Sequence, residues 1–372
     1  MPPRLLGTQR IAANGEFFIA DCSIQELAEN YGTPLYVVDE TSFRGRIRTM
    51  FAETRALHPH IELMFASKSN CALAVLQAAR GEGMGIDVAS EGELAGALNA
   101  GFIPSQIHLH GNNKSKRELE WAQELGLGAI MVDNFKEVKF LVDSGKPANI
   151  ILRLAPSVDP ETHEAIRTGQ ADTKFGFNIN DGSAAKAVEI IANAPKLKLV
   201  GYHNHVGSQL LSSSAIADGA RFICDFALSM VPIAGAPTEI SLGGGLGIAY
   251  LPEMESVPLG RFAQECLLPI KSQLGELGNP VVSFEPGRSL IGEAGTSLYT
   301  AGVIKSVPLA DGGVRRYLSI DGGVADNPRP QLYSAKYYAL NLSRIGEPHE
   351  TEFCMSSRHC ENDTVIRQAL LP

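Results

Sequence analysis

The chain has 372 residues, and 32 basic against 41 acidic side chains leave a net charge of −9. With 44% hydrophobic and 20% charged residues it reads as a soluble globular protein of two or three domains, which excludes disordered, collagen-like and coiled-coil classes. An acidic balance gathers no phosphates, so no nucleic-acid partner is expected, and no apolar run approaches the roughly 18 residues that a membrane span needs.

The N-terminal stretch MPPRLLGTQRIAANGEFFIA lacks the apolar region of a signal peptide. Within it GEFFIAD reads as a strand, followed by a helix over SIQELAENYG. Short apolar runs then alternate with stretches of helical length. The runs are ELMFASK (62–68), GIDVAS (85–90), IHLHG (107–111), AIMVD (129–133), NIILRLA (149–155), LKLVGYHNH (197–205), EISLGGG (239–245) and VVSFEPG (281–287). Helices are expected between them at 72–80, 91–100, 116–125 and 135–143. Strands alternating with helices imply parallel pairing through crossover helices, and eight such units match a (β/α)8 TIM-type barrel. A doubly wound sheet is the other α/β fold, but no dinucleotide fingerprint accompanies these strands. TSLYTAGVIKSVP, VRRYLSIDGG and HETEFCMSS follow as strands without regular crossovers. The expected division is therefore a barrel over 36–290, with 1–35 plus 291–372 forming a mostly-β domain that takes the N-terminal strand. The six cysteines Cys22, Cys71, Cys224, Cys266, Cys354 and Cys360 form no C-x-x-C pair, which suits a reduced, cytoplasmic protein.

Barrel active sites form at the C-terminal ends of the strands. The polar residues ending the eight runs are Lys68, Asp87, His110, Asp133, Arg153, His205, the glycines 243–245, and Glu285 with Arg288. A lysine amine that burial keeps neutral forms a Schiff base with a carbonyl. Gly243, Gly244, Gly245 and Gly247 let backbone N–H groups approach a phosphate. Glu285 can hold a pyridine nitrogen protonated, and His205 can stack on the ring. Each residue alone has a plain structural explanation: a solvated lysine, a tight turn, a core histidine, a strand-end carboxylate. Arriving at successive strand ends, they resemble a cradle for pyridoxal 5'-phosphate (PLP). A metal-dependent hydrolase is the competing reading, because HLH (108–110) and HNH (203–205) each put two histidines on one face of a strand. No further ligand set accompanies them, so no metal is expected.

FASKSN, GIDVASEGEL, HGNNKS, HEAIRTGQADTKFGF, HNHVGSQ, LGGGLGI and EPGR together resemble the successive motifs of the fold-type III PLP-dependent decarboxylases, the alanine racemase-like barrel group. Within that group the chain is most similar to the diaminopimelate decarboxylases, from about residue 30 to residue 366. The resemblance implies that Lys68 carries the cofactor and His205 stacks on it. Ser208, Gly244, Gly245, Pro286, Gly287 and Arg288 hold the phosphate, Glu285 pairs with the pyridine nitrogen, and Asp87 and Arg153 support the site. It implies further that Arg329, Tyr333 and Arg288 bind the substrate. Cys360 and Glu361 enter the site of a homodimer partner, the cysteine in acid chemistry and the glutamate reading the distal amine.

The implied reaction is decarboxylation of meso-2,6-diaminopimelate to L-lysine and CO2, a step of lysine biosynthesis. Alternatives are a decarboxylase of carboxynorspermidine, ornithine, arginine or lysine, or a non-catalytic homologue of the antizyme-inhibitor kind. An Arg329 in the distal pocket repels a terminal ammonium, which favours the first reading. Two departures from the family pattern stand out. Cys360-Glu361-Asn362-Asp363 is one residue shorter than the usual C-E-S-G-D, which leaves the role of Asp363 open. The usual Gly-Ala-Tyr segment does not follow, so a loose region is expected from about Glu352 onward.

Overall fold

In the computed structural model all eight apolar runs form strands, and residues 3–155 and 174–372 are described. The HEAIRTGQADTKFGF motif therefore lies outside the described residues up to Thr173. The strands are Ile61–Ala66, Gly85–Val88, Ile107–Leu109, Ala129–Val132, Ala148–Ala155, Leu197–His203, Glu239–Ser241 and Val281–Phe284. Each pairs in parallel with its neighbours, the eighth returns to the first, and the ring is a closed barrel. A two-residue strand, Phe177–Asn178, adds to the fifth strand.

The helices between strands begin on caps that the sequence supplies. Ser90, Ser115 and Asn134 each accept a hydrogen bond from the backbone N–H three residues on, at Glu93, Glu118 and Glu137. Glu118 in turn accepts from the Ser115 backbone N–H, completing a capping box. Gly126 and Gly145 end their helices with positive φ angles of 64° and 62°, where a Cβ is disfavoured. Each of these helices therefore starts within a few residues of a strand end, so strand-end side chains stand on a rigid rim.

Alternation along each strand divides the barrel. Leu63, Phe65, Ile86, Val88, Ile107 and Leu109 are fully buried. The residues between them form the other face, where register sets Ala66 beside Asp87 and Asp87 beside His108. On the far side register sets Arg153, His203, Ser241 and Ser283 next to one another in four successive strands. Ala129, Met131, Ile151 and Val200 make an apolar cluster on the fourth to sixth strands.

This compact unit comprises Arg44–Ile248 and Ser256–Gly292, and a second comprises Met1–Phe43, Ala249–Glu255 and Glu293–Pro372. In the second unit Leu35–Val38 pairs antiparallel with Gly295–Leu298. The sheet Ala301–Pro308, Val314–Ile320, Thr351–Ser356 and Thr364–Leu371 is antiparallel except at its central pair. Its buried side is Leu318, Ile320, Phe353, Met355, Val365, Ala369 and Leu371. A second cluster joins Phe17, Ile19 and Ile24 to Leu298 and Ile345. The expected loose region from Glu352 is thus corrected. The last residues form two paired strands whose alternate apolar side chains are buried, a pattern of period two that the sequence reading did not follow to the end.

One buried ion pair ties three barrel segments together. Lys114 Nζ donates to the carbonyls of Gly111 (2.6 Å) and Met131 (2.5 Å) and to Glu137 Oε2 (3.0 Å). Glu137 also accepts from the backbone N–H of Asp133 at 3.0 Å. Both charges are buried, so removing one strands the other. Lys114→Met is expected to cost about 3–5 kcal/mol, read as a lower urea midpoint at unchanged m. A loss below about 1 kcal/mol would show that this pair is not holding the rim.

Candidate active site

The sequence places a polar residue at the end of nearly every strand, and the barrel gathers them on one rim. Lys68 lies in a single 3-10 turn, Ser67–Ser69, directly after the first strand. The turn is fixed from beneath by Ser67, which donates to the Asp87 carbonyl at 2.6 Å and to Glu93 Oε2 at 2.8 Å. Lys68 itself is exposed, not buried as its apolar run suggested, because the turn lifts it clear of the strand. Asp87 lies in the second strand, one residue before its end, as a buried carboxyl whose two oxygens have no hydrogen-bond partner among the described residues.

Glu285 is also buried and follows the eighth strand. It accepts from Ser241 Oγ at 2.7 Å and from His203 Nε2 at 3.1 Å. His110 Nε2 stands between the two carboxyls, 3.3 Å from Asp87 Oδ1 and 3.7 Å from Glu285 Oε1. Two buried carboxyls this close do not both ionise readily. Burial, then the Glu285 charge, pushes Asp87 well above the usual carboxylate range against the pull of Lys68. Burial also works to raise Glu285, but His203 and His110, with the bonds from His203 and Ser241, bring it well below that range. The surroundings therefore shift the two carboxyls of the rim in opposite directions. Burial holds the His110 imidazole well below its ordinary range.

His205 follows the sixth strand and accepts from the Gly244 backbone N–H on Nδ1 at 3.2 Å. Burial, then the Lys68 ammonium, pushes it down to about 3, so the ring is neutral at neutral pH. The glycines after the seventh strand are required by close packing. A Cβ at Gly243 would strike the Asn204 carbonyl, one at Gly244 the Glu285 carbonyl, and one at Gly245 the Gly207 carbonyl. Gly243 and Gly245 also have φ angles of 64° and 111°. Arg288 lies 3.4 Å from Ser208 Oγ, and Gly287 packs on Ser69. Pro286 accepts from the Ala66 backbone at 3.2 Å, closing the eighth strand's loop onto the first. Arg153 Nε is 3.6 Å from Asp133, and its guanidinium lies 4.3 Å from the Phe175 ring.

Lys68, Asp87, Arg153, His205, Ser208, Gly244, Gly245, Glu285, Pro286, Gly287 and Arg288 thus all belong to the barrel unit. Arg329, Tyr333, Cys360 and Glu361 belong to the other. There Arg329 lies 5.9 Å from the Tyr250 ring and 5.4 Å from the Tyr333 ring. Cys360 and Glu361 are exposed on the turn between the last two strands. Asp363 is buried and accepts from the Val324 backbone at 2.9 Å and from Ser357 Oγ, which makes it a holder of this turn.

The reading of single motifs passed over Ser67, Glu93, Ser241 and the pairing of His203 with Glu285. The signal was alternation: Ser241 and Gly243, or His203 and His205, share a face because they are two apart. The competing hydrolase reading has a real counterpart, since ligand-type atoms of His110, His203 and Glu285 lie within 4.8 Å of one another. Within this group Glu285 accepts from His203, and it also accepts from Ser241, while His110 Nε2 has no hydrogen-bond partner among the described residues.

Residues 44–292 match the family described as "Pyridoxal-dependent decarboxylase, pyridoxal binding domain". The chain is 37% identical over 369 residues to the diaminopimelate decarboxylase of Bacillus subtilis, covering 97% of this chain and 83% of that protein. It is 38% identical to that of Bacillus methanolicus, over 98% of this chain and 86% of the relative. Among solved structures, diaminopimelate decarboxylase from M. jannaschii in co-complex with L-lysine superposes with a TM-score of 0.90 at 29% identity. That match covers 97% of this chain and 84% of the other.

Neutral His205 carries a consequence for acid stability. Its folded value of about 3 lies below its ordinary 6.5, so between those values the unfolded chain binds more protons. Stability is then full above about pH 6.5 and falls as pH drops toward 3. His205→Asn is expected to remove ~2 kcal/mol of the loss between about pH 6.5 and 5, read by urea melts at both values. Parallel pH curves for parent and variant would contradict this.

Proposed function

Since the chain belongs to the pyridoxal-dependent decarboxylases, we propose that its strand-end residues bind PLP and turn meso-2,6-diaminopimelate into L-lysine and CO2. It is a PLP-dependent carboxy-lyase of lysine biosynthesis. The observation that carries the reading is the rim itself: a lysine, an ionised buried carboxylate, a neutral imidazole and a close-packed glycine loop at successive strand ends.

The residues fit the cofactor. The glycine loop admits no Cβ and so presents bare backbone, as a phosphate cradle requires. The buried Asp87 oxygens have no hydrogen-bond partner among the described residues, and the donor set matches the groups of a phosphorylated pyridine aldehyde. When bound, PLP supplies an electron sink for the pair left when the carboxylate departs as CO2.

The chain's residues divide the remaining work. Lys68 would supply the amine that holds the cofactor, and its side chain is exposed at the rim. Gly244, Gly245, Gly287, Ser208 and Arg288, with Pro286 shaping the loop, hold the phosphate. Glu285, ionised by its donors, accepts the pyridine N–H. Neutral His205 stacks without adding a charge that opposes the protonated ring. Asp87 and Arg153 support these positions. Arg329 and Tyr333, with Arg288, take the distal carboxylate, since a guanidinium fork matches two oxygens. Glu361 reads the distal amine and Cys360 delivers the proton to the former carboxyl-bearing carbon.

The same proposal includes a homodimer in which Cys360 and Glu361 complete the partner's site. Their exposure on a turn supports it, because exposed side chains are free to reach a second subunit. It also includes a cytoplasmic setting, supported by six cysteines that are all unpaired. No helix among the described residues is long and apolar enough to cross a membrane.

Two experiments test this reading. Lys68→Ala is expected to abolish the cofactor adduct that borohydride traps, and peptide mapping of the parent is expected to find that adduct on Lys68. A trapped adduct on another lysine would overturn the assignment. For the shared site, mixing inactive Lys68→Ala and Cys360→Ala subunits is expected to restore about a quarter of parental activity, since one site in each mixed dimer is intact. No recovery after proven subunit exchange would refute sharing.

A further inference from the structure

A carboxylate that pairs with a ring N–H must meet it as an acceptor. In a buried site that state is costly unless fixed donors compensate it. Glu285 is faced by groups from five other strands: Asp87, His110, Arg153, His203 with His205, and Ser241. Two of them donate hydrogen bonds to it. Ser241 Oγ is 2.7 Å from Oε1, and His203 Nε2 is 3.1 Å from each carboxylate oxygen.

His203 is fully buried in the barrel interior, with no exposed surface. Its Nδ1 has no hydrogen-bond partner among the described residues, and its ring meets His110 edge-on at 5.3 Å. Most buried imidazoles are held from both nitrogens. This one keeps its polar bonding for Glu285. The strand register sets His203 directly beside Ser241, so backbone pairing fixes the two donors together.

We propose that His203, supported by Ser241, is the positioning residue that keeps Glu285 an acceptor aimed at the cofactor's ring nitrogen. This rests on the PLP reading above and deepens it. One proton is shared between Glu285 and the ring nitrogen, and its side is decided by which partner the surroundings stabilise as an ion. Donors on the carboxylate favour the ionised Glu285 and the protonated ring. Without them the proton moves to Glu285 and the ring loses its charge. His203 touches neither cofactor nor substrate in this role.

The test reconstitutes the full chain with PLP enriched in 15N at the ring nitrogen and records that nucleus by NMR. The variants are His203→Phe, which fills similar space without a donor, His203→Gln, which restores one, and Ser241→Ala. The parent is expected at the protonated-pyridine position. His203→Phe is expected to move toward the neutral position and to weaken PLP retention about tenfold to a hundredfold, the range for a hydrogen bond to a charged group. His203→Gln is expected to return most of the shift, and Ser241→Ala to move part of the way. If His203→Phe does not fold, Ser241→Ala decides, because it removes the other donor and must move from the parent in that same direction. An unmoved resonance in the folded variants overturns the role of His203 and leaves the cofactor reading standing. A parent chain that takes up no PLP overturns both.

Discussion

The site depends on an ionised carboxylate kept inside a protein interior. Burial opposes the charge on Glu285, and the fold answers with donors from the sixth and seventh strands and an imidazole from the third. The same field works in reverse on Asp87. Among the described residues it has no hydrogen-bond partner, and burial with Glu285's charge raises its pKa well above the usual carboxylate range. Two carboxyls of like chemistry are shifted in opposite directions by their surroundings alone.

Such a polar interior needs rigid walls. Parallel register supplies them, since each strand presents every second residue to one face and its neighbours fix the height. The apolar residues between the polar ones are fully buried, so the strands cannot slip without moving an entire apolar set to the wrong side. The Lys114–Glu137 pair extends this rigidity to the rim: it joins the loop after the third strand to the end of the fourth and the start of the next helix. A buried ion pair is weak support for net stability, but removing either partner is costly, which makes it an effective lock on geometry.

The glycine loop shows the same economy of space. Three consecutive glycines pack against carbonyls of Asn204, Glu285 and Gly207, so the loop lies against the chain after the sixth and eighth strands. Close backbone packing places the Gly244 N–H on His205, and this bond leaves the imidazole with its hydrogen on the other nitrogen when neutral. The loop thus orients the histidine.

Much of this was legible in the sequence. Eight apolar runs ending in polar residues, with capped helices between them, determine a barrel, because alternation and capping are local properties of the chain. The motifs from FASKSN to EPGR identified the strand-end residues for the same reason: each lies next to the strand that carries it. Three things were decided only by tertiary structure. Pairing His203 and Ser241 with Glu285 joins residues more than 40 positions apart and follows from strand register. The exposure of Lys68 depends on a 3-10 turn held by Asp87 and Glu93, which no apolar count around Lys68 reveals. The order of the last strand depends on Thr364–Leu371 finding Thr351–Ser356, a partner that supplies both backbone bonds and a surface for Val365, Ala369 and Leu371. Sequence determines which side chains a strand offers to a face, whereas protonation, exposure and pairing depend on what the fold puts opposite them.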